Sequence, residues 1–197
     1  MNLAAAAVVV ALAGVELSWG REPVAAVAAA SMVLVAVAVL AVLPTTRWSF
    51  ADQRMAGVAA RGTAWQVVVR IPFGTVVLEE VAFRGVLPEL LSPVLASVLF
   101  GLWHVVPTIK TLDINGVTAS RAAAVAGAVG VTTVVGLVLC WLRSETGGLL
   151  APALVHAAAN GGAVVASYTV LRSAPGQESP QDTLPHVAAE QAEEQAS

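Results

Sequence analysis

From Val24 to Leu43 the chain runs for twenty residues without a charged side chain. That is about the length of helix needed to cross a hydrocarbon core. Inside lipid each backbone N–H and C=O must be satisfied within the protein, so such a run takes the form of a helix. The composition agrees: of 197 residues, 57% are hydrophobic and 12% charged, with mean hydropathy +0.80. A soluble domain carries about 25% charged residues. Similar apolar runs occupy Leu3 to Trp19, Ile71 to Leu91, Val94 to Val106, Ala122 to Leu142 and Leu149 to Val170. The expected fold is an all-α, polytopic transmembrane helical bundle of about six spans.

Breaks between the runs are marked by turn residues. Gly20-Arg21-Glu22-Pro23 starts the second span, Pro72 kinks the third, and Ser92-Pro93 turns into the fourth. Pro107 is expected to stop the fourth span, leaving Thr108 to Ser120 as a polar loop, and Gly147-Gly148 precedes the sixth. No Lys or Arg precedes Leu3, so the first run lacks the positive start of a signal peptide and reads as a span weakened by Glu16. In the fifth span, Ala123 with Gly127 and Ala126 with Gly130 follow small-xxx-small spacing, which predicts a close helix contact there.

Charge sets the sidedness. Residues 173–197 hold Glu178, Asp182, Glu190, Glu193 and Glu194 with no Lys or Arg. Residues 1–171 therefore read as one transmembrane domain, and 172–197 as a disordered acidic tail that includes a solvated His186. With six spans, Arg47, Arg54, Arg61, Arg70, Lys110, Arg121 and Arg172 share one side, against Arg21 and Arg143 on the other. That asymmetry predicts cytoplasmic termini in a plasma (inner) membrane. Trp48 and Trp65 among the arginines of residues 44–70 suit an interfacial segment touching anionic lipid. Nothing resembles a nucleic-acid surface. The lone Cys140 excludes an intrachain disulfide and a cysteine-based zinc cluster, and reads as a small core residue.

The chemistry lies in the charged groups that the apolar runs contain. Glu79, Glu80 and Arg84 fall within six residues of the third run. Each ionised side chain near the middle of a span costs roughly 2.5–3.5 kcal/mol or more, so these three must face the bundle interior and find partners. Glu80 and Arg84 are four apart and can neutralise each other on one helix face. Glu79 lies about 100° around the helix and is free to meet something else. Phe100 and His104 are four apart in the fourth run, and His156 and Asn160 in the sixth. Three helices thus each present a polar face at mid-depth.

Two carboxylates, two imidazoles, an amide and a guanidinium suit hydrolysis of an amide bond. A Glu beside a His can hold a water and take its proton as general base. A His–Asn pair supplies neutral donors for the oxyanion that forms on a peptide carbonyl. No Ser, Cys or Asp is placed as a nucleophile, Ser97 being at best a weak candidate. Glu79, His104 and His156 would equally make a His-His-Glu set for a divalent metal such as zinc, although His-Glu-x-x-His is missing. Bare water and metal-bound water both stay open on these residues.

Glu-Glu-Val-Ala-Phe-Arg, Phe-Gly-Leu-Trp-His and His-Ala-Ala-Ala-Asn, in that order and each inside an apolar run, resemble three motifs of one family. These are the CPBP intramembrane metalloproteases, also called CAAX amino-terminal proteases or Abi proteins, which include the type II CAAX prenyl endopeptidases. The flanks Phe83-Arg84-Gly85-Val86-Leu87 and Thr146-Gly147-Gly148-Leu149-Leu150-Ala151-Pro152 are similar too, and the resemblance covers roughly Thr63 to Ala166. It implies an intramembrane endopeptidase acting on a protein or peptide substrate, membrane-anchored substrates included. By that resemblance Glu79 and His104 activate water, His156 and Asn160 form the oxyanion site, and Glu80 and Arg84 hold geometry. Phe100 reads as core beside them. The rival reading is a non-catalytic bacteriocin-immunity or scaffold protein on the same fold. A proton-coupled transporter is a weaker rival, because no internal repeat is visible.

Overall fold

The computed structural model describes residues 2–173; the proposed acidic tail lies outside them. Described from the N-terminus, α1 covers Asn2–Ala13 and α2 covers Pro23–Val42. A short segment with two 3-10 turns, Arg47–Phe50 and Gln53–Met55, leads to a helical run, α3, over residues 60–90. Then come α4 (Pro93–Trp103), α5 (Val105–Ile114), α6 (Arg121–Thr146) and α7 (Leu150–Arg172). The all-α, polytopic bundle is as expected. Four helices among the described residues are long and apolar enough to cross a membrane: α2, α4 with α5, α6 and α7.

The first expected span falls short for a local reason. Gly14 adopts a left-handed φ of 63°, ending α1 after 12 residues. At 1.5 Å per residue its described part is about 18 Å long. Ala6 of α1 joins Val81 and Leu149 in a buried cluster, with Val10, Leu17, Val77 and Leu78 around it. α1 therefore supports the segment of α3 that carries the carboxylates.

Residues 15–22 are irregular and clasp the start of α7. Leu149 N–H donates to Ser18 O at 2.9 Å, Leu150 N–H donates to Trp19 O at 3.1 Å, and Trp19 and Gly148 form a single antiparallel bridge. Gly20 and Gly148 approach so closely that a Cβ on Gly148 would overlap the backbone of Trp19 and Gly20. Backbone cannot swing aside as a side chain can. Gly148→Ala is therefore expected to lower stability by about 1–3 kcal/mol, seen as a lower unfolding midpoint in detergent; an unchanged midpoint would show that the clasp yields freely.

α3 is where the expected third span lies, and it is helical but not regular. Three π-helical segments, Gln66–Arg70, Pro72–Val76 and Val81–Val86, alternate with α-helical turns. Pro72 has no N–H to give and its ring crowds the carbonyl four residues back, which a wider turn relieves. Such widened turns recur at functional sites. Here one follows directly on the α-helical turn Val77–Glu80.

Pro107 does not stop the fourth span. The chain bends at His104 and continues as α5 to Ile114, so the expected polar loop shrinks to residues 115–120. Pro107 falls in the first turn of α5, where its missing N–H breaks no helical bond. The small-xxx-small expectation also fails: Cβ atoms on Gly127 and Gly130 would meet nothing within 4 Å. The close approach is on another face of α6, where a Cβ on Gly136 would lie 3.2 Å from Ser97 Cα, and one on Gly101 would lie 2.7 Å from Val129 O. This contact sets α4 against α6. Cys140 is half-buried beside it, its Sγ 3.7 Å from Ser97 Oγ.

On the other side of the molecule from the Trp19–Gly148 clasp, polar side chains tie three elements together. Asn115 Nδ2 donates to Asp52 Oδ1 at 3.1 Å, Gln53 N–H donates to Asn115 Oδ1 at 3.0 Å, and Ser167 Oγ donates to Asp52 O at 3.3 Å. Burial pushes the Asp52 carboxyl upward, but the Arg54 side chain and N–H and the Asn115 amide outweigh it and hold it below its ordinary value. A carboxyl lowered in the folded state stabilises it above the unfolded value, and that contribution disappears as pH falls through the folded value. Acidifying from about pH 6 to about pH 3 should therefore lower the unfolding midpoint less in Asp52→Asn than in the parent. Parallel curves for the two would remove this role from Asp52.

Candidate active site

Glu79 and Glu80 occupy the last two positions of the α-helical turn Val77–Glu80, and both are buried, at 7% and 1% exposed. Their neighbours differ, as adjacent positions on a helix require. Glu80 Oε1 lies 3.1 Å from Arg84 Nη1, the i,i+4 pair expected from spacing, and 2.7 Å from His156 Nδ1. The Arg84 guanidinium is wholly buried and sits 3.9 Å over the Phe100 ring. Phe100 in turn meets the His104 ring edge-on at 4.6 Å and the His156 ring at 5.8 Å. Phe100, which reads as core in the sequence, is the hub on which α3, α4 and α7 converge.

Glu79 has two other partners. Trp103 Nε1 donates to Glu79 Oε1 at 3.1 Å, and Glu79 Oε2 lies 3.6 Å from His156 Nε2. Trp103 is missing from the sequence reading of the site. It lies inside the Phe-Gly-Leu-Trp-His motif, but a tryptophan in an apolar run reads as lipid-facing. The residue is indeed 53% exposed, while its ring packs against Phe83 and its N–H reaches Glu79.

The two histidines are held differently. His104 is half-buried at the bend between α4 and α5, with Nδ1 2.8 Å from Phe100 O. A carbonyl only accepts, so Nδ1 carries the proton and Nε2 presents a bare lone pair. His104 forms neither hydrogen bond nor ion pair with Glu79. The contacts of Glu79 go instead to Trp103 and His156. His156 gives its Nδ1 proton to Glu80, whose carboxylate is already paired with Arg84. Its Nε2 then faces Glu79 Oε2 at a distance too long for a hydrogen bond. A water between them could donate to both acceptors. Glu79 Oε2 has no hydrogen-bond partner among the described residues, which suits a water in that position.

Asn160 lies one turn beyond His156 and is half-buried. It accepts and donates no side-chain hydrogen bond among the described residues, so its amide is free for a ligand. The donors do not fit a three-ligand zinc in this arrangement. Glu79 Oε2 and His156 Nε2 are close enough to share an ion, and the bond from His156 Nδ1 to Glu80 is the kind a ligating histidine makes; what is lacking is a third donor. Among the described residues no group of three His, Cys, Asp or Glu is gathered for a metal.

The chemistry of the site is that of a buried carboxylate facing an imidazole, with a second carboxylate behind it to fix the imidazole's proton. Residues 61–162, just over half of the chain, match the family described as type II CAAX prenyl endopeptidase Rce1-like, nearly the stretch over which the sequence motifs lie. No curated protein and no solved structure matches the chain. With that match and four helices apolar enough to span a bilayer, the chain belongs to the Rce1-like family of type II CAAX prenyl endopeptidases, an integral membrane protein with a function of the CAAX-protease type.

Proposed function

We propose that this protein is an intramembrane endopeptidase in which Glu79 is the general base for an attacking water. The observation that carries the reading is the buried approach of Glu79 Oε2 to His156 Nε2 at 3.6 Å. One water about 2.8 Å from each atom would fit between them. The water gives a proton to Glu79 Oε2 as its oxygen bonds to the peptide carbonyl carbon. The same proton then passes to the departing amine as the C–N bond breaks. The unpartnered Asn160 amide is the donor for the carbonyl oxygen as it becomes negative. His156 stays oriented by Glu80, and Glu80 by Arg84.

The substrate class is a peptide chain, one anchored in the same membrane being the form best able to reach a site between helices. The test is a comparison of membrane-protein ends in cells carrying the parent protein or His156→Ala. Peptide ends present only with the parent are expected; identical sets of ends would sink the endopeptidase reading. The metal alternative has its own readout. Direct water activation predicts that chelators leave cleavage intact and that purified protein holds no stoichiometric metal. Stoichiometric zinc that is lost in His104→Ala would instead put Glu79, His104 and His156 around an ion.

A further inference from the structure

We infer that Trp103 is a positioning residue for the reaction: its indole N–H holds the Glu79 carboxylate so that Oε2 faces His156. The inference rests on the endopeptidase reading and adds to it a residue that the three motifs do not require. Trp103 has one polar atom, and that atom donates to a carboxylate that is 93% shielded from its surroundings. The residue otherwise faces outward, 53% exposed on a helix that also exposes Leu102 and Val106. In lipid this outward face makes a lateral wall between the bilayer and Glu79. A Phe or Leu would cover the same wall. The donor is what the tryptophan adds.

The consequence for Glu79 is geometric. With Oε1 held by the indole, the carboxylate plane is fixed about its terminal torsion, which is otherwise broad and loosely set. Oε2 is left as the single basic oxygen, directed at His156 Nε2. Phe83 supports the indole from behind, its ring 5.9 Å from that of Trp103, and also meets Phe100 at 5.3 Å. The indole is thus braced by the same aromatic group that carries the Arg84 guanidinium. Without the N–H, Glu79 Oε1 would be a buried acceptor with no donor, and the carboxylate would rotate to find one.

Three replacements separate the hydrogen bond from the shape of the ring. Trp103→Phe removes the donor and part of the ring. Benzothienylalanine at position 103 keeps the bicyclic shape and replaces N–H by sulfur. A ring-methylated tryptophan at the same position keeps the N–H. The activity readout is the rate at which the parent-specific membrane-protein ends accumulate, with His156→Ala as the background. The first two proteins are expected to be about ten- to a hundredfold slower than the parent, the range for a hydrogen bond to a charged group. The methylated tryptophan should restore most of the rate.

A second readout needs no substrate. The indole ¹⁵N–¹H resonance of Trp103, assigned by its disappearance in Trp103→Phe, should move on Glu79→Ala and stay in place on Glu89→Ala. A parent rate with benzothienylalanine, or an indole resonance indifferent to Glu79, overturns the role of Trp103 and leaves the endopeptidase reading standing. Absence of any parent-specific ends relative to His156→Ala overturns both.

Discussion

Replacing Arg84 with methionine is expected to destabilise the folded protein by about 3–5 kcal/mol, the range for breaking a buried pair by removing one partner. Arg84 is wholly buried on the Phe100 ring, and its charge lies directly against Glu80. Without it the Glu80 carboxylate keeps the neutral His156 Nδ1–H and nothing else. The pair itself is not well satisfied. Its 3.1 Å approach lacks the alignment of a hydrogen bond, and the guanidinium nitrogens have no hydrogen-bond partner among the described residues. Desolvation therefore takes back much of what the attraction gives. The double replacement Glu80→Gln with Arg84→Met should return stability to within about 1 kcal/mol of the parent or above it, as uncharged substitutes for buried pairs often do. The measurement is an unfolding midpoint in detergent for both single variants and the double, closed as a cycle. Equal, additive losses from the two single changes would show that the charges do not depend on each other.

That pair was legible in the sequence because four residues on a helix place two side chains on one face. The site beyond it was less so. His156 reaches Glu80 across 76 residues of sequence, and no local spacing says which of two adjacent glutamates it will choose. Trp103 was overlooked because an aromatic residue in an apolar run has a sufficient explanation in lipid contact, and its one donor atom leaves no trace in periodicity. The length of α1 was misjudged for a similar reason. Val15, Leu17 and Trp19 extend the apolar run past the point where Gly14 turns left-handed, and hydropathy does not register a φ angle. Pro107 and the glycines of α6 were misread by rules that are correct but need a helix start or a helix face as reference. A proline stops a helix or opens one according to where the preceding bend lies, here at His104. Small residues at four-residue spacing permit close approach only on the face that another helix meets, and that face carries Gly136.

Glu79→Gln should reduce cleavage by about 10²- to 10⁴-fold, the range for loss of a positioned general base, with the fold retained. Glutamine fills the same space. Its Oε1 can still accept from Trp103 Nε1, and its amide can donate to His156 Nε2, so no buried group loses its partner. What vanishes is the ability to take a proton from water. Glu79→Asp keeps that ability but withdraws the carboxylate by one methylene, away from both Trp103 and His156. It should therefore fall between the parent and Glu79→Gln in rate while being less stable than Glu79→Gln. That opposite ordering of rate and stability is what separates a base from a structural carboxylate, for which the better-packed variant would also be the more active. A protein that works by binding alone, as in the immunity or scaffold reading, would retain its function in Glu79→Gln, since shape and hydrogen bonds are nearly unchanged. Near-parent cleavage by purified Glu79→Gln would move the proton acceptor elsewhere, with the bare Nε2 of His104 the next group to replace.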